Sequence, residues 1–181
     1  MCYSFESRAG GKGARMISLQ VANKGLFMSK LLASDAFDSY LMEEAVIKMA
    51  AVFSIDGHLN KDFFESAVWD DPAQRPYDFV RWQDVRKYCF EIIKGKTAPS
   101  FLRITLRLVP EKAEEVFSDL EANVKSNIEA PAILVRLDRE NLKVLTTVEY
   151  KTFSLDRSAE PVWDKYVRSF LDGLGITYTE E

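Results

Sequence analysis

Leu102, Ile104, Leu106 and Leu108 alternate with Arg103, Thr105 and Arg107, and this run constrains the fold more than any other. Successive side chains of a β-strand point to opposite faces. The strand must therefore bury an aliphatic row on one side and hold guanidinium groups in water on the other, as in a sheet covered on one face. The rest of the chain has to supply that cover.

Helical spacing supplies it. Trp82, Val85, Cys89, Ile92 and Ile93 share one face of a segment from about Arg81 to Lys94, and Gly95 is a natural stop. Pro110 suits the first turn of a helix lined by Val116, Phe117, Leu120 and Val124. A last helix starts near Ser158 with Val162, Trp163, Tyr166, Val167, Phe170 and Leu174 inward. An earlier one, capped by Asn23, turns Leu26, Phe27, Leu31 and Leu32 to one side.

Further strands are expected over 16–21, 132–138 and 142–152, the last two joined at Arg139-Glu140-Asn141. From Ala45 the spacing is two, through Ile47, Met49, Ala51, Phe53 and Ile55. Asp56-Gly57 then reads as a hairpin turn, because both turn residues need positive φ. His58-Leu59-Asn60 would begin the return strand. Pro72 and Pro76 mark 68–79 as a loop.

Strand, helix, strand, turn, strand thus occurs over 16–60 and again over 101–152. The fold class is α+β: two βαββ-like units forming a mainly antiparallel sheet with about four packed helices. That order also resembles the repeating unit of DNA sliding clamps, a likeness of fold that does not carry function. Residues 1–15 are Gly- and Ser-rich without periodicity, so they are expected to be a disordered tail preceding one domain over 16–181.

Charge and cysteine content narrow the function classes. A net charge of −4 argues against a general nucleic-acid coat. From Val80 to Arg107, however, seven basic residues face only Asp84 and Glu91, a local net of +5. Arg86, Lys87, Lys94, Lys96, Arg103 and Arg107 are the candidate binding residues of this stretch. Lys94-Gly95-Lys96 offers main-chain amides and ammonium groups to an anion, although lysines at a helix end also complement the helix dipole. Cys2 and Cys89 make no disulfide framework and no zinc spacing. The N-terminus lacks a secretory layout, and no apolar run approaches the roughly 18 residues that cross a bilayer. A cytoplasmic location is expected.

Catalytic motifs are weak. His58 is the only histidine, and no serine elbow or reactive-cysteine signature accompanies it. Gly10-Gly11-Lys12-Gly13 lacks the spacing of a phosphate loop. Cys89 lies on an apolar helix face, where burial quiets a thiol. Glu149-x-Lys151 with Asp138 suggests a nuclease-type magnesium site, but a hairpin turning at 139–141 holds Asp138 and Glu149 roughly 23 Å apart. Asp35, Asp38, Glu43 and Glu44, and separately Asp70-Asp71, lack the spacing of a calcium loop. No cofactor and no metal site is expected.

Ile55-Asp56-Gly57-His58-Leu59-Asn60-Lys61, Trp82 with Val85-Arg86, Ile92-Ile93-Lys94-Gly95-Lys96 and Pro99-Ser100-Phe101 together resemble an uncharacterised domain-of-unknown-function family of small proteins from anaerobic Gram-positive bacteria. The resemblance covers about residues 16–175 and implies no activity, cofactor or catalytic residue. The leading expectation is a non-enzymatic binding or interaction protein whose basic stretch meets an acidic protein or a nucleic acid. The alternative is an enzyme of unknown class with a site near Asp56 and His58. A homo-oligomer built on a leftover sheet edge is a third.

Overall fold

The structure is a computed structural model that describes residues 16–181. The tail, with Cys2 and the Gly10–Gly13 run, lies outside the described residues. Strand β1 (Ser18–Val21) leads into helix α1 (Lys24–Ala33) and strands β2 (Tyr40–Lys48) and β3 (Val52–Asp56). An excursion follows, with a 3-10 turn (Lys61–Phe63) and the single-turn helix α2 (Ser66–Trp69). Strand β4 (Val80–Arg81) then runs into helix α3 (Trp82–Ile93). Next come β5 (Phe101–Leu108), α4 (Pro110–Val116), α5 (Ala122–Asn127), β6 (Ile128–Asp138) and β7 (Asn141–Tyr150). Helix α6 (Ala159–Gly173) and strand β8 (Tyr178–Glu180) end the chain.

One antiparallel sheet contains every strand, in the order β3-β2-β5-β6-β7-β1-β8, with β4 pairing β2 alongside. The strand-helix-strand-strand order occurs twice along the chain, but the two sets interleave. β5, β6 and β7 lie together in the middle, while β1 is parted from β2 and β3 by all three.

The alternation in β5 sets the layers. Leu102, Ile104 and Leu106 stand in register with Ile47, Ala45 and Met42 of β2 and with Leu137, Val135 and Ile133 of β6. All nine side chains are buried in one cluster or against it. Helices α1, α3 and α6 cover this face with Phe27, Leu31, Trp82, Cys89, Trp163 and Val167. Each buried tryptophan finds an acceptor for its indole N–H: Trp82 donates to the Leu31 carbonyl and Trp163 to the Ala132 carbonyl, both at 2.9 Å. The first of these satisfies a carbonyl in the last turn of α1, where intrahelical donors run out.

The other face is wet and tied by ion pairs: Arg103 with Glu44 at 2.8 Å, Arg136 with Asp138 at 3.3 Å, and Lys143 with Glu181. No helix among the described residues is long and apolar enough to cross a membrane.

Several local expectations are corrected. The period-two run from Ala45 is a folded hairpin, turning at Met49–Ala51, where the Met49 N–H donates to the Ala51 carbonyl. Asp56-Gly57 is therefore the end of β3 and no turn, and the φ of Gly57 is not positive. Glycine is required there because a Cβ would lie 1.8 Å from the Met42 carbonyl oxygen. Asn23 does not cap α1 with its side chain. It reaches the Gly175 carbonyl and accepts from the Thr177 N–H, both at 3.0 Å, holding the approach to β8. Leu26 is exposed, and the helix after Pro110 breaks at Phe117 into α4 and α5.

Candidate functional site

The six basic candidates fall on opposite sides of the sheet. Arg86 and Lys87 belong to α3 on the covered side, with Lys94 and Lys96 just beyond its end, whereas Arg103 and Arg107 stand on the wet face of β5. Four of them have carboxylate partners. Arg86 pairs with Asp38 and also donates to the Ser34 carbonyl. Arg107 is held by Glu43 at 2.7 Å and Glu149 at 2.6 Å, beneath the Phe79 ring. Arg103 pairs with Glu44, and Lys94 with Glu91. They do not form one surface.

Two of the six, Lys94 and Lys96, join other basic residues around a groove of about 680 Å³. Its floor is aliphatic: Met28 and Leu32 of α1, Ile93 of α3, Pro99, Leu137 of β6 and Leu142 of β7. Its rim carries Lys24, Lys94, Lys96 and Arg139, opposed by Glu140. Among the described residues, Lys24, Lys96 and Arg139 have no carboxylate partner within ion-pair distance. Lys24 instead donates to the Glu140 main-chain carbonyl at 2.8 Å. The exposed Lys94–Glu91 pair is of the kind worth little in water.

Local chemistry builds each wall. Helix α3 ends at Ile93, and Gly95, at φ 151°, turns the chain outward so that Lys94 and Lys96 flank the opening. Ser100 then ties the loop back, its N–H and hydroxyl both reaching the Lys48 carbonyl, at 2.9 and 3.2 Å. Opposite, Arg139 is the first residue of the two-residue turn between β6 and β7, and its N–H donates to the Ser100 carbonyl at 3.1 Å. Its φ is 54°, in the left-handed region, and it is the sole non-glycine residue so placed among those described. Such a turn favours glycine at this position, and a non-glycine residue held there stores strain of about 1–2 kcal/mol.

The remaining candidates resolve into local structure. His58 Nδ1 is 2.6 Å from Asp56 Oδ1, and the His58 main-chain N–H donates to the same oxygen at 3.0 Å. That main-chain bond, then the ring, holds the Asp56 carboxyl below its usual range. Both side chains are more than half exposed, at 63% and 79%, and the imidazole rests on Phe79. No hydroxyl or thiol among the described residues hydrogen-bonds its other nitrogen, which a nucleophilic triad would require.

Cys89 is fully buried, and desolvation pushes its thiol up to about 11. Asp138 stands opposite Asn141 and Glu149 opposite Ala130, at the two ends of one hairpin. Asp38, Glu43 and Glu44 are each committed to an arginine. Asp71 closes its own turn through Ala73 and Gln74. No group of three metal-ligating side chains occurs among the described residues.

Sequence reasoning missed the α1 wall and Arg139. The two-residue turn gave a signal, since it offers no glycine at a position that favours one.

No curated protein and no solved structure matches the chain. A family model described as a family of unknown function (DUF5721) matches residues 30–179. The chain belongs to that family.

Proposed function

We propose that this member of the family of unknown function is a non-enzymatic interaction protein that takes an acidic, apolar-anchored peptide segment of a partner protein into the groove between α1, the end of α3 and the β6–β7 turn. The carrying observation is Arg139, kept in a left-handed turn position where glycine would relieve strain, on the rim of an aliphatic groove where Lys24 and Lys96 also lack carboxylate partners among the described residues. Strain of this kind persists where the surrounding structure over-determines it, and it clusters at functional positions.

The floor favours a peptide over a nucleic acid. Single strands are held by stacking bases on aromatic faces, and Phe90 is the one aromatic side chain lining this groove. An aliphatic floor with a cationic rim matches a leucine or isoleucine anchor flanked by glutamate or aspartate. The rim then supplies steering and register, and the floor supplies burial.

The test uses fluorescent peptides with a leucine pair flanked by glutamates, their lysine counterparts, and a single-stranded oligonucleotide. Selective, salt-weakened binding of the acidic peptide is expected. Lys96→Glu with Arg139→Glu should weaken it about tenfold or more. Preference for the oligonucleotide would replace the peptide reading with a nucleic-acid one, and binding of no probe would overturn both.

A further inference from the structure

The two edges of the sheet are built differently. β8 spans three residues, with Glu180 clasped by Arg168 and Glu181 by Lys143, so charge and brevity guard it. β3 spans five, Val52-Phe53-Ser54-Ile55-Asp56, with no lysine, arginine or proline. Val52 is 64% and Phe53 40% exposed.

Hydrogen bonding shows which main-chain groups of β3 have no partner among the described residues. The Met49 N–H donates to the Ala51 carbonyl, the Gly57 N–H donates to the Glu43 carbonyl, and the Lys48 carbonyl turns away to accept from Ser100. Inward and outward groups alternate along an antiparallel strand. Residues 51, 53, 55 and 57 therefore bond toward β2, and Val52, Ser54 and Asp56 aim their N–H and C=O groups at solvent. Beyond Asp56 the chain at 57–59 pairs with 78–80, which limits the open stretch to these five residues.

We infer that β3 pairs antiparallel with β3 of a second copy of this chain across a two-fold axis at Ser54, joining the two sheets into one. A two-fold axis makes a strand antiparallel to itself. Centring it on Ser54 sets Ser54 against Ser54, and Val52 against Asp56 of the other copy. All three outward-facing residues of each strand then meet their counterparts, and no other register uses every one.

The side chains agree with that register on both faces. On the helix side, Phe53 meets Ile55 of the second copy. The buried row Leu102–Ile47–Phe53 then continues into Ile55–Ala45–Ile104. On the wet side Lys48 is the row neighbour of Val52. Lys48 and Asp56 of the second copy therefore flank Val52 at two strand spacings, about 9–10 Å, which a lysine side chain spans. Lys48 has no carboxylate partner among the described residues, only the Phe101 ring at 5.0 Å. The partner of Asp56 is the His58 ring, two residues on in its own chain. The contact is thus matched in main-chain bonds, apolar rows and charge.

The test is sedimentation equilibrium of the full chain over a wide concentration range. The expected result is a dimer that dissociates on dilution. Ser54→Pro deletes a donor that points out of the fold, which edge strands tolerate, and should leave a monomer with unchanged circular dichroism. A wild-type chain that is monomeric throughout, or a dimer that Ser54→Pro leaves intact, overturns the inference. If Ser54→Pro perturbs folding, charge reversal decides. Lys48→Asp and Asp56→Lys should each weaken the dimer and together restore it, and single variants that dimerise like wild type overturn the inference.

Discussion

Arg107 is neutralised twice, by Glu43 at 2.7 Å and by Glu149 at 2.6 Å. Partial burial pushes the Glu149 carboxyl above its ordinary range, against the pull of Arg107, and nearby Glu43 and Glu129 add to the rise. A carboxyl raised in the folded chain takes up its proton at a higher pH than in the unfolded chain. Its contribution to stability is therefore complete below the unfolded value and is lost as pH climbs through the folded one. Glu149→Gln removes that dependence. The stability of wild type relative to Glu149→Gln should thus grow as pH falls through the carboxylate range. Urea midpoints at neutral and mildly acid pH measure this, and a difference independent of pH would contradict it. Arg107 also shows why the basic stretch was misleading at this scale: its charge was legible, but its two partners lie 64 and 42 residues away.

At the scale of elements, Gly57 decides how β3 leaves β2. A Cβ at this position would strike the Met42 carbonyl at 1.8 Å and the Glu43 carbonyl at 2.9 Å. Main chain cannot swing aside as a flexible side chain would. Gly57→Ala should cost about 1–3 kcal/mol, read from denaturant midpoints. Gly25→Ala is the control, since a Cβ there meets nothing within 4 Å, and it should not lower stability. Equal effects of the two substitutions would refute the close-approach account.

The elements themselves were largely legible. β5, α3 and α6 appear within a residue or two of their periodic patterns, because each pattern repeats over two or more periods of its element. The hairpin at Met49–Ala51 was not, since small apolar residues continue the alternation through the turn. β8 was overlooked although Tyr178 and Thr179 follow Gly175 in a strand-like run.

At the scale of the molecule, interleaving makes the halves interdependent. β1 pairs only with β7 and β8, and β2 buries Ile47, Ala45 and Met42 against β5. Residues 1–99 expressed alone should therefore lack a cooperative unfolding transition, while the chain shortened to 16–181 should unfold in one step. Circular dichroism melts of both would check this, and a folded 1–99 fragment would show that its elements do not need the second half.

What the sequence determined by itself was therefore local: the period of each segment, hence its type, and hence an α+β sheet covered on one face. Those signals need only neighbours within a few residues, and alternation or helical spacing is written along the chain. Strand order, the pairing of the arginines, the groove under Arg139 and the open edge of β3 were decided only by the tertiary structure. Each depends on residues tens of positions apart meeting in one register. No local pattern encodes that meeting, since the free energy that selects it is shared among all the rows of the core.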